Sequence, residues 1–200
     1  MTMASSDHTT VPQITVPAAG DPQHPVDRIY RFDMLPSPIG HIAVTASDRG
    51  ICDLRFRAPD EDTFRHEWQA RGVDVVRDPD ALAPVLTQLR EYFDGQRRVF
   101  AVDVDLQGLS PFAVRVLTIT LDVGFGEVRT YGEIATAAGQ PGANRAVGGA
   151  LGRNPIPIII PCHRVLQGRG RLGGFTGGLD LKRTLLSLER RMLPFGSWLD

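Results

Sequence analysis

The chain has 200 residues and a mass of 21.9 kDa, with 42% apolar and 22% charged residues, so it can build a core and is not globally disordered. No apolar run approaches the roughly 18 residues of a membrane span, and no basic flank with an apolar stretch marks a secretory signal. The net charge of −1 hides an asymmetry: residues 109–200 carry 11 basic and 6 acidic side chains, and no acid lies between Ile134 and Leu179. That stretch holds Arg145, Arg153, Arg164, Arg169 and Arg171, a cationic face suited to phosphates. The cysteines, Cys52 and Cys162, number 2, too few for a disulfide scaffold or a four-cysteine zinc site; a reducing, cytoplasmic location is expected.

Residues 1–26, rich in Ser, Thr, Pro and Ala, are expected to form a disordered tail. Ile29 to Met34, Gly40 to Ala46 and Gly50 to Phe56 read as short strands, the last two joined by a Ser47-Asp48-Arg49-Gly50 hairpin turn. Asp60 to Ala70 and Ala81 to Phe93 read as helices; in the second, Leu82, Val85, Leu86 and Leu89 share one face. Val99 to Leu106 alternates like a strand. An acidic N-terminal α/β domain over 27–107 follows, with no catalytic constellation. A second domain, 108–200, begins at Gly108 to Ser110.

Ser110-Pro111 is an N-cap and first-turn proline, predicting a helix there. Thr130 and Glu133 form a capping box for a short helix that stops at Gly139. After Gln140-Pro141-Gly142, a second helix spans roughly Ala143 to Gly152, so the pair is a helix-turn-helix candidate. Gly148, Gly149 and Gly152 each cost about 1 kcal/mol against alanine in a helix. Such small residues around Arg145 suit a DNA groove. Ile158 to Ile160 reads as a buried strand ended by Pro161, delivering Cys162 and His163 to its exit. The last helix, Leu179 to Met192, sets Glu189 within an apolar arc, where a carboxylate needs a partner.

Cys162, His163 and Glu189 are the residue types of an activated thiol: an imidazole accepts the proton and a carboxylate orients the imidazole. Adjacent side chains on an extended strand point apart, so a bridging water or a turn at Cys162 is needed.

The stretch from Ser110 to Glu189 resembles the O6-alkylguanine-DNA alkyltransferases. The resemblance is carried by Pro161-Cys162-His163-Arg164-Val165 after an isoleucine run, Arg145-Ala-Val-Gly-Gly-Ala, Asn154-Pro, and Gly177-Gly178-Leu179 through to Glu189. It implies an α+β fold: an N-terminal ribonuclease-H-like α/β domain and a C-terminal helical, winged helix-turn-helix-like DNA-binding domain. It further implies minor-groove binding, base flipping and one irreversible transfer of the alkyl group to Cys162. By the same resemblance His163 takes the thiol proton through a water, Glu189 polarises His163, Tyr131 donates toward guanine N3, and Asn154 ties the helix-turn-helix to the cysteine. Arg145 fills the vacated stack, with Ala143, Ala146, Gly148, Gly149 and Arg164 also against DNA. Val165, Phe175 and Thr176 line the pocket.

The implied partner is duplex DNA containing O6-alkylguanine, met by a monomer, with O4-alkylthymine and cooperative binding left open. No cofactor is implied. The zinc site of some members cannot form here, since the N-terminal half holds only one cysteine, Cys52, with His41 and His66, and His8 and His24 in the tail. Two other readings stand beside this one: a DNA-binding or lesion-sensing module without transfer, and a thiol hydrolase built on Cys162 and His163.

Overall fold

The computed structural model describes residues 14–15 and 29–192. The first unit is a six-stranded sheet backed by two helices. Strands β1 (Ile14–Thr15), β2 (Tyr30–Ser37), β3 (Gly40–Ser47), β4 (Gly50–Phe56), β5 (Val75–Arg77) and β6 (Val104–Asp105) lie in the order β1-β6-β4-β3-β2-β5. The β2-β3-β4 meander is antiparallel, and β5 and β6 join its two edges in parallel. Helices α1 (Glu61–Gln69) and α2 (Pro79–Phe93) are capped by Asp60 and Asp78, whose carboxylates accept from Thr63 N and Ala81 N at 3.0 Å each.

Three details depart from the sequence reading. The expected Val99 to Leu106 strand shrinks to Val104–Asp105, because only those residues meet β1 and β4. Ile14–Thr15, within the expected tail, pairs with that same edge; the rest of the tail lies outside the described residues. Ile158–Ile160 is not a strand. Ile158 has a left-handed φ of 74° and the segment keeps only an isolated Pro157–Ile160 bridge. Prolines 155, 157 and 161 remove ladder donors, so the chain folds into a buried loop.

The second unit is helical. α3 (Pro111–Leu121), α4 (Tyr131–Ala137) and α5 (Asn144–Gly152) pack on one another, and α6 (Leu179–Arg191) closes the site from behind. The capping box of α4 forms in both directions: Glu133 N donates to Thr130 Oγ1 at 3.2 Å and Thr130 N to Glu133 Oε2 at 2.6 Å. Strands β7 (Arg129–Thr130) and β8 (Val165–Leu166) pair in parallel. One hydrophobic core runs through both units, from Leu35 and Val44 of the sheet to Ile160 and Leu185 beside the site. Leu54 N of β4 donates to Pro155 O at 2.8 Å, so the sheet also holds the loop that leads to Cys162.

Candidate active site

Cys162 leaves the proline-rich loop on a 3-10 turn, Cys162–Arg164, and this turn decides the direction of its neighbours. Asn154 fastens the loop. Its Nδ2 donates to Ile160 O at 2.9 Å and to Cys162 Sγ at 3.0 Å, while Oδ1 accepts from Ile156 N at 3.0 Å. His163 points away from solvent and is fully buried. Its Nε2 lies 2.8 Å from Glu189 Oε1.

Glu189, also fully buried, collects donors from four directions. Arg164 reaches it through Nε at 3.0 Å and Nη2 at 2.9 Å, Tyr92 Oη donates at 2.9 Å, and Gly126 N at 3.3 Å. A carboxylate bonded in this way is an acceptor only, so His163 must carry its proton on Nε2. That leaves Nδ1 unprotonated, and Nδ1 is buried without a hydrogen-bond partner. A basic nitrogen without a partner is what the expected bridging water requires.

In front of Cys162 lies a cavity of about 680 Å³, lined by Tyr131, Arg145, Gly148, Cys162, Phe175 and Thr176 among others. The β7–β8 pairing sets Tyr131, the first residue of α4, above the cysteine turn. Gly173 holds the other side of that ring: with φ +68°, a Cβ there would fall 2.8 Å from Tyr131 Cε2. Tyr131 Oη meets Gly174 O at 3.3 Å. Thr176 Oγ1 donates to Gly152 O at 3.0 Å, tying the glycine-rich loop to the end of α5, and Phe175 packs on Phe56 of β4 with centroids 6.1 Å apart.

Helix α5 presents Arg145, Ala146 and Gly149 to solvent, with Gly148 half-buried, while Val147, Ala150 and Leu151 face the core. Ala143 sits at its N-cap position, half-buried and without a side-chain cap.

Two sequence expectations are corrected. Arg164 does not reach DNA. It is 5% exposed, its guanidinium serves Glu189 and Val123 O, and it stacks 5.5 Å from the Phe125 ring centroid. Val165 does not line the cavity: it is fully buried and its carbonyl accepts from Lys182 Nζ at 2.7 Å.

Lys182 and Tyr92 were missed. Lys182 is the chain's one lysine against 21 arginines, and its ammonium is buried on the carbonyls of Val165, Leu172 and Gly174. Its signal was present, since Lys182, Leu186 and Glu189 share a helical face at i, i+4 and i+7. Tyr92 had no such signal, because its partner is 97 residues away.

The chain matches the profile "6-O-methylguanine DNA methyltransferase, ribonuclease-like domain" over residues 30–106, and "6-O-methylguanine DNA methyltransferase, DNA binding domain" over residues 111–191. The chain belongs to the 6-O-methylguanine DNA methyltransferase family. Among its relatives, the methylated-DNA--protein-cysteine methyltransferase of Mycolicibacterium paratuberculosis is 43% identical over 83% of this chain and 96% of the relative. The Methanosarcina barkeri protein of the same name is 38% identical over 81% and 98%. The crystal structure of Mycobacterium tuberculosis OGT in complex with DNA matches with a TM-score of 0.69 and 40% identity, over 84% of this chain and 96% of that one.

Charge states at the methyltransferase site follow from burial and partners. Burial pushes the Cys162 thiol up to about 11, against the Asn154 bond and the Lys182 charge, which pull it down. Burial lowers His163 below its ordinary value, so the ring is neutral. Burial disfavours the Glu189 charge as well, but the bond from His163 and the charge and bonds of Arg164 outweigh it and hold the carboxyl at about 2. Burial brings Lys182 down to about 8. The resting site therefore holds a protonated thiol and a neutral imidazole whose Nδ1 has no partner.

Proposed function

We propose that Cys162 is the acceptor cysteine of this methyltransferase and that the residues around it divide into a proton path behind and a base pocket in front. The activity is the family's: DNA repair by transfer of an alkyl group from O6-alkylguanine in DNA to a protein cysteine. The observation that carries the residue assignment is the position of Cys162, lining the cavity under α5 with Sγ bonded to Asn154, and followed in the turn by a buried His163 whose Nδ1 has no partner.

The steps balance as follows. The Cys162 proton passes through a water to His163 Nδ1, and the imidazolium is held by the Glu189 carboxylate. Lys182 and the Asn154 amide favour the thiolate against burial. Sγ attacks the alkyl carbon in line as the carbon–oxygen bond breaks. The electron pair stays on the guanine, and Tyr131 Oη donates a proton as charge builds there. His163 returns its proton to solvent exchange, Tyr131 is reprotonated, and the products are guanine and S-alkylcysteine. No step regenerates the thiol, so each chain acts once.

The exposed α5 surface of Arg145, Ala146, Gly148 and Gly149 is the surface offered to the minor groove, with Arg145 at the mouth of the cavity to fill the stack behind a flipped base. Phe175 and Thr176 wall the base pocket. The division of the chain falls at Gly108–Ser110, between the last strand of the sheet and the Ser110 cap of α3. No helix of the described residues is long and apolar enough to cross a membrane. A DNA substrate and a thiol needed in reduced form support a cytoplasmic location.

The test is mass spectrometry after mixing the protein with duplex DNA holding one O6-methylguanine. A gain of about 14 Da, mapped to Cys162 and lost in Cys162→Ser, is expected. An unchanged mass with DNA still bound would replace transfer by lesion sensing.

A further inference from the structure

The N-terminal unit holds no nucleophile or base of the reaction, yet it sends one hydroxyl into the proton path. Tyr92 lies near the end of α2, is fully buried, and donates from Oη to Glu189 Oε1 at 2.9 Å. The same oxygen is the one that faces His163 Nε2 at 2.8 Å. Tyr92 is held in place by a ring cluster, with Phe93 at 5.3 Å, Phe100 at 5.6 Å and Phe125 at 6.2 Å between centroids. Phe125 in turn carries Arg164 on one face and Arg98 at 5.7 Å. The hydroxyl therefore cannot swing away from the carboxylate without disturbing the core.

We propose that Tyr92 is a positioning residue for alkyl transfer, acting from the N-terminal unit through Glu189 to set the tautomer and basicity of His163. The proposal rests on the reading of Cys162 as acceptor and His163 as its base. A phenol that donates to a carboxylate oxygen withdraws charge from it. Here that oxygen is shared with His163, so the phenol limits how strongly Glu189 attracts an imidazolium. It also leaves Oε1 as an acceptor toward His163, which keeps the proton on Nε2 and leaves Nδ1 unprotonated.

The other charged and titratable groups near this pair belong to the cysteine turn and to α6. Arg164 of the cysteine turn holds Glu189 from the side, Lys182 of α6 sits on the carbonyls of Val165 and Leu172, and Cys162 faces the cavity. Gly126 N contributes the remaining donor to Glu189. Among these, Tyr92 is the donor that can be deleted without leaving a buried charge unpaired.

The test uses the full chain and single-turnover transfer from O6-methylguanine duplex DNA across pH 5 to 9. Removing the hydroxyl in Tyr92→Phe makes Glu189 more negative toward His163, which raises the imidazole's proton affinity. The expected result is an acid limb of the rate profile moved to higher pH by about 0.5 unit, a rate near pH 6 lowered about threefold, and DNA affinity unchanged. Global incorporation of 3-fluorotyrosine, in wild type and in Tyr92→Phe, strengthens the phenol donor without removing any packing. It should move the limb to lower pH in the wild type alone. Superimposable profiles in both experiments, with wild type transferring normally, would overturn the role of Tyr92 and leave Cys162 as acceptor. Absence of transfer in the wild type itself would instead overturn the reading beneath it.

Discussion

The two cysteines of this chain sit in opposite electrostatic settings. Cys52, on β4, is pushed up to about 12 by burial, and the carboxylates of Asp53 and Asp105 add to the shift. Cys162 is more deeply buried but has the Asn154 amide donating to its sulfur and the Lys182 ammonium pulling its value down. Burial alone makes an inert thiol. Reactivity at Cys162 comes from what is buried with it: donors and a base that stabilise the thiolate once formed. The sheet region has acids around its cysteine and no base, whereas the helical region has collected the base and the cation.

That contrast can be broken in several ways. The largest effect is expected from the cysteines themselves: Cys162→Ala removes methyl transfer entirely, while Cys52→Ala leaves the burst amplitude at one methyl per chain, read by mass. Transfer surviving on the Cys162 variant would dissolve the comparison. Next is Lys182→Met. It removes the cation that opposes burial at Cys162 and leaves the Val165 and Leu172 carbonyls without their donor. A rate drop of about tenfold or more near neutral pH, partly recovered at higher pH, is expected from the lost thiolate stabilisation.

Arg164→Met should cost stability. Stripping one partner from a buried ion pair costs about 3–5 kcal/mol, measurable by urea unfolding. Arg145→Ala, an exposed position, should stay within about 0.5 kcal/mol of wild type, yet slow transfer on duplex DNA. A large folding defect in the second variant, or none in the first, would reverse the assignment of the two arginines.

The smallest effect is in pH. Glu189 has its folded value below its unfolded one, near 2 against 4.5, so its contribution is fully present above pH 4.5 and is lost as pH falls toward 2. The wild type should lose up to about 3 kcal/mol over that window, and Glu189→Gln should show a flatter acid slope. Equal slopes would mean that the carboxylate is not held as described.

Residue patterns alone carried the helices, whereas the chemistry came from the residue types Cys162, His163 and Glu189 together with the family resemblance of residues 110–189. The caps at Ser110 and Thr130 are local signals satisfied within three residues, and both form as read. The choice of Cys162 over Cys52 came from His163 beside it, from Glu189 and from the Pro161-Cys162-His163-Arg164-Val165 resemblance. Glu189 announced its need for partners by sitting in an apolar arc.

What only the tertiary structure decided were the partners themselves. Arg164 reads in sequence as one cation of a basic stretch, yet Glu189, 25 residues on, draws it into the core. Tyr92 reads as part of an apolar helix face, and its hydroxyl finds its use only when α2 meets α6. Lys182 reads as a helix charge, and it is the fold that brings three carbonyls onto its ammonium. Local periodicity says which face is buried. It does not say which distant donor will meet a buried charge, because that depends on chain segments brought together by packing.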